Sequence, residues 1–176
     1  MRPAPYGIIE EMPSPVGHAL GGVIVGSLAL RRPGWWILTA CAIAAALPDL
    51  DLLLPVTHRG PTHSLTAAAC AFGLAWLVVR SRRDSIDTRT AAALGLAVLS
   101  HVLFDWLGED SSTPRGVMAL WPFSHAFYVS DLNVFAAADR RYWLPGVWRR
   151  NLFALAREIL ILGPLTWLVM KRRAGR

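Results

Sequence analysis

The sequence predicts an all-α, membrane-embedded bundle of about five apolar helices, with a long aromatic-rich loop before the last. Three observations predict it. Hydrophobic residues make up 54% of the 176 residues and charged residues 17%, a composition too apolar for an ordinary soluble domain. The mean hydropathy of +0.39 says the same. The apolar residues gather in five segments, and basic residues bracket those segments as Lys and Arg bracket membrane spans. That placement also argues against a nucleic-acid partner, despite a net charge of +6. A lipid bilayer is the expected partner. The chain reads as a single domain over 1–176, with 1–11 a loose extension that has no apolar signal-peptide core.

The first segment runs from about Val16 to Leu30 and is glycine-rich, with Gly17, Gly21, Gly22 and Gly26 on offer for close helix packing. The second runs from Trp35 to Leu47 and reaches a full span only if Pro48 to Leu54 continues it. The third covers Leu65 to Val79 without a charge, and the fourth Ala91 to Leu107. The fifth runs from Leu152 to Met170, with Arg157 and Glu158 near its start. Their length and Ala/Leu content favour helices. Cys41 and Cys70 lie inside apolar runs without CxxC spacing and read as small buried hydrophobes. The connection 108–151 is too long for a plain turn. It carries Trp121, Pro122, Phe123, His125, Phe127 and Tyr128, and is expected to cover one end of the bundle as a lid.

Ionisable residues interrupt this apolar background, and in such surroundings each needs a partner or a task. His18 opens segment one. Asp49 and Asp51 (PDLD) end segment two. His58, Arg59 and His63 (HRGPTHS) precede segment three. His101 and Asp105 (HVLFD) sit at i and i+4 near the end of segment four. In a bundle whose helices alternate direction, all these positions fall at one end. Imidazole and carboxylate without thiolate suit Zn, Mn or Fe, and a site of this kind with open positions activates water for hydrolysis. His18, Asp49, His63, His101 and Asp105 are the candidate ligands for one or two ions, most naturally Zn. Asp51 is the candidate general base, Arg59 a candidate clamp for an anionic group, and His58 a further catalytic candidate. His125 reads as a surface residue of the aromatic loop. No HExxH, GxSxG, GxxxxGK[ST] or GxGxxG template is present.

The succession MPSPVGHALGG, PDLD, HRGPTHS, HVLFDWL and WPFS resembles the YdjM-like family of membrane-bound metal-dependent hydrolases, described also as LexA-binding and inner-membrane associated. The likeness covers roughly Met12 to Ser124. It implies a multi-pass protein of the inner membrane and an activity class rather than a substrate. A more distant likeness is to the all-helical zinc phosphoesterases, zinc-dependent phospholipase C and the single-strand nucleases. It maps onto His18, Asp49, His63, His101 and Asp105, with Asp105 as the bridging ligand. Those enzymes carry further His and HxxxD ligands downstream. Here only His125 and Asp131 follow, which points to one or two ions rather than three.

The expected function is a phosphoester or other ester hydrolase acting on a lipid or lipid-linked anionic substrate. A non-catalytic membrane interaction protein stapled by its His/Asp cluster is one rival, and a metal or proton transporter another. Arg31-Arg32, Arg80/Arg82/Arg83 and Lys171-Arg172-Arg173 place the opposite end in the cytoplasm, and so the His/Asp end outside it. Arg115, Arg140, Arg141, Arg149 and Arg150 in the long connection pull against that orientation.

Overall fold

The computed structural model describes residues 11–54, 57–81, 88–111 and 113–174. The loose extension expected over 1–11 falls, Glu11 apart, outside the described residues, as do Arg82, Arg83 and Arg176.

Five α-helices carry the fold: α1 (Pro15–Ala29), α2 (Trp35–Ala46), α3 (Leu65–Ser81), α4 (Thr88–Leu107) and α5 (Val147–Ala174). Ser14 starts α1, its hydroxyl accepting from the Gly17 amide, and Pro15 follows where a missing N–H costs nothing. Pro48 ends α2 as a regular helix, because its ring and lost donor disrupt the i→i−4 ladder. The chain continues as a 3-10 turn over Leu47–Leu53. In that tighter turn Asp49 and Asp51 face inward while Leu50, Leu53 and Leu54 remain exposed. A second 3-10 turn, Pro61–His63, leads into α3.

The central helix is α4, packed on α1, α2 and α3; α5 lies against α1. The glycine face of α1 is used within the chain. A Cβ on Gly22 would run into the backbone carbonyl of Cys41 on α2, and one on Gly21 would meet the Phe104 ring of α4 at 2.7 Å. One on Gly17 would meet the Glu158 carboxylate of α5, also at 2.7 Å. Three helices therefore close on α1 because it presents backbone rather than side chains. Beside Cys41 the interior holds Ala45, Ala93 and Ala97. Cys70 is exposed, contrary to its expected burial. Its helix, α3, packs on α4 and leaves the opposite face uncovered.

Three helical stretches are long and apolar enough to cross a membrane: Trp35–Leu53, Thr88–Leu107 and Val147–Arg172. The other two apolar helices are shorter. Helices α1 and α3 have 15 and 17 residues. They rise about 22 and 26 Å, against a hydrocarbon core of about 30 Å. The eight tryptophans divide between the two ends. Trp35, Trp36, Trp76 and Trp167 lie at the end bearing Arg80 and Lys171, which rest on the Trp76 and Trp167 rings. Trp106, Trp121, Trp143 and Trp148 lie at the other. Amphipathic indoles collect at both membrane–water boundaries.

The last helix begins at Val147, earlier than its apolar run at Leu152 suggests. The connection before it has little regular structure. Its residues Ala138–Asp139 pair antiparallel with Glu11–Met12, Glu11 opposite Asp139.

Candidate metal centre

The 3-10 turns and the ends of α1 and α4 bring the dispersed His and Asp residues together. His18 lies one turn into α1, where Glu158 of α5 holds the helix start. The Glu158 carboxylate accepts from the Ser14 amide at 2.5 Å and from the Ser14 hydroxyl. Asp49 comes from the 3-10 turn after α2, His63 from the turn before α3, and His101 and Asp105 from one face of α4. His18, His63, His101 and Asp105 have fully buried side chains. Asp49 is 9% exposed.

Four donor atoms enclose a point. His63 Nε2 lies 3.5 Å from Asp49 Oδ1 and 3.3 Å from Asp105 Oδ2. His101 Nε2 lies 3.4 Å from Asp49 Oδ1 and 3.3 Å from Asp105 Oδ2. A tetrahedral ion bound at about 2.0–2.1 Å by N and O donors spaces those donors by about 3.3–3.4 Å. The four observed separations match four of the six edges of such a polyhedron, and His18, Asp49, His101 and Asp105 each offer a donor atom within 4.8 Å of the others. The other oxygen of Asp105 faces His18 Nε2 at 3.2 Å, and the His18 ring stacks on His101 at 3.8 Å. One carboxylate thus turns its two oxygens to two different parts of the cluster.

Proton bookkeeping gives the same answer. His101 Nδ1 is 2.7 Å from the carbonyl oxygen of Ala45, which can only accept. The proton therefore sits on Nδ1, and Nε2 presents a lone pair to two carboxylate oxygens. Three acceptors converging in a buried space repel one another unless a cation lies between them. His63 behaves differently. Burial alone would lower its pKa, but polar contact with Asp49 and Asp51 and the charge of Asp105 outweigh this and raise it to about 9. Nine side-chain atoms here are buried without a hydrogen-bond partner among the described residues. They are both nitrogens of His18, both oxygens of Asp49 and of Asp105, and Nε2 of His58, His63 and His101. Orphans on this scale in one place are groups that a metal ion could satisfy.

The remaining candidates surround this centre in different roles. Asp51, expected as a general base, has both oxygens engaged. Oδ1 lies 2.6 Å from His58 Nδ1, and Oδ2 accepts from the Thr62 hydroxyl at 2.6 Å and faces His63 Nδ1 at 3.3 Å. It orients two imidazoles rather than waiting free for a proton. Arg59, expected as an anion clamp, is 3% exposed and turns its guanidinium onto Asp110. His125 is exposed in the connection and takes no part. Asp110 and Glu158 were not singled out from the sequence. The one available signal for Glu158 was a lone carboxylate in an apolar run, and its match to the glycine at position 17 is visible only in three dimensions.

The architecture is that of an α-helical membrane protein with a buried His/Asp cluster that could hold a metal ion. The chain belongs to the YdjM inner membrane protein family, whose pattern matches residues 12–174. No curated protein and no solved structure matches it.

Proposed function

We propose that this chain is a membrane-bound metal-dependent hydrolase that cleaves an ester, most naturally a phosphoester, of a lipid or lipid-linked anionic substrate. The observation that carries the reading is the four-donor enclosure by Asp49, His63, His101 and Asp105, built without thiolate. A divalent ion such as Zn, held at a position of this cluster short of protein ligands, would supply Lewis acidity and lower the pKa of water. The chain's own part is to hold the four donors, to fix His101 through Ala45 and His63 through Asp51, and to keep the centre dry beneath the connection. His18 adds a nitrogen facing the far oxygen of Asp105.

Depth supports a lipid substrate. The His/Asp centre lies within about two helical turns of Trp106 along α4, close beneath the aromatic boundary. Ester and phosphate groups of membrane lipids lie at that level. The centre is read as extracytoplasmic, because Arg31, Arg32, Arg80, Lys171 and Arg172 crowd the opposite end.

The protein purified in detergent, assayed for metal by elemental analysis and for hydrolysis of bis(p-nitrophenyl) phosphate and of phosphatidylglycerol vesicles, tests the reading. Stoichiometric transition metal and turnover, both lost in His101→Ala, are expected. A metal-free preparation that refuses added Zn and Mn, or a His101→Ala protein with unchanged metal and turnover, overturns it.

A further inference from the structure

The four-donor enclosure leaves one imidazole with a free lone pair beside it. His58 Nδ1 lies 2.6 Å from Asp51 Oδ1, and a carboxylate there holds the ring proton on Nδ1. Nε2 is then the bare nitrogen, and it is buried without a hydrogen-bond partner among the described residues. A carboxylate behind a histidine, with the opposite nitrogen exposed to a cavity, is how proteins set a metal-ligating imidazole. Asp49 has a matching surplus. Its Oδ1 faces His63 and His101, while its Oδ2 is equally without a partner. Asp49, His58 and His63 each have a donor atom within 4.8 Å of the others.

We infer that the centre has a second, open cation position on the His58 side of Asp49, with His58 Nε2 and Asp49 Oδ2 as its protein donors, His63 adjacent, and Asp51 as the positioning residue behind His58. This rests on the metal-centre reading above and adds to it an asymmetry. The enclosed position has four protein donors with side-chain exposures of 0, 0, 0 and 9%. The second has fewer donors, and it lies where solvent reaches the cluster, at Asp49 and His58, the latter 7% exposed. Closed four-donor sites hold structural ions, whereas sites short of protein ligands keep places for water or substrate. The open position is accordingly where an anionic oxygen of substrate would bind.

The test is the number of ions and their rates of removal. Detergent-purified full-length protein is loaded with Zn, freed of excess, and titrated with a chromogenic chelator. Two ions per chain are expected, one removed quickly and one slowly. His58→Ala is expected to keep only the slow ion. Asp51→Asn, which preserves size, is expected to retain both but to weaken the fast one by about 10–100-fold. One ion in the parent, unchanged in His58→Ala, overturns the second position and leaves the enclosed centre standing. No ion at all sinks both readings, and loss of the slow ion in His58→Ala sinks the assignment of His58 to the open side.

Discussion

The Arg59 guanidinium is buried against the Asp110 carboxylate, and this pair fastens the connection onto the turn that carries His58 and His63. Asp110 also accepts from the Gly116 amide at 2.5 Å, and the Arg59 carbonyl accepts from the Met118 amide at 2.9 Å. Arg59 itself has a φ of 59°, an uncommon conformation for a residue with a side chain. Its cost is offset by burying the charge on a partner. Asp110→Asn leaves that cation without its counter-charge, and breaking a buried pair from one side costs about 3–5 kcal/mol. Thermal unfolding in detergent is expected to show a large loss of stability, with metal content falling as the turn loosens. A variant as stable as the parent would mean that Arg59 is held by something else.

Removal of a first ligand has a different signature from removal of its support. Asp105→Asn retains volume but loses the charge that faces His18, His63 and His101. Elemental analysis is expected to show loss of bound metal with the helical circular-dichroism spectrum unchanged. Full retention of metal would remove Asp105 from the ligand set.

The glycines of α1 allow a paired test. Gly22→Ala forces a Cβ into the Cys41 carbonyl, and backbone cannot swing aside as a side chain can. Helices α1 and α2 must separate, moving His18 away from Asp105; a stability loss of several kcal/mol is expected, in the upper range for a single substitution. Gly73→Ala on α3 meets nothing within 4 Å and is expected to gain up to about 1 kcal/mol from helix propensity. Denaturant or thermal titration of the two proteins side by side separates close packing from propensity.

Acid sensitivity should appear at Asp139. Hydrogen bonds from Arg141, with the charges of Arg141 and Arg150 beside them, hold its pKa below the usual carboxylate range against the opposing effect of burial. A lowered folded-state pKa contributes stability that is present above the unfolded carboxylate value and is lost as the pH falls through the folded one. The contribution is therefore full at neutral pH and declines below about pH 4. Asp139→Asn is expected to flatten that acid limb of the stability–pH curve. An unaltered limb would assign it to other carboxylates.

Much of this centre was legible because it follows from short-range rules. Four-residue spacing puts His101 and Asp105 on one helical face. Alternation of helix direction then gathers His18, Asp49, His63 and His101 at one end. What could not be read depends on partners far apart in the chain. Arg59 pairs with Asp110 and Glu158 with Ser14, and neither sequence neighbourhood names its partner. The free-looking carboxylate of Asp51 was already taken by His58 and Thr62, a matter of side-chain direction within a 3-10 turn that a helical reading does not resolve. The start of α5 was hidden for another reason. Trp148, Arg149, Arg150 and Asn151 are polar or amphipathic interface residues, so the helix precedes the hydropathy signal. The short reach of α1 and α3 was visible in residue counts, yet an apolar run shows composition and not how far the helix extends across the bilayer.

The four donors of the enclosed position come from three separate places in the chain: the turn after α2, the turn before α3, and the end of α4. None of these segments alone offers more than two of them. A chain emerging into the membrane therefore has no ion site until α4 has been inserted and packed on α2. Any ion this cluster takes up would thus enter late in assembly and could not nucleate it.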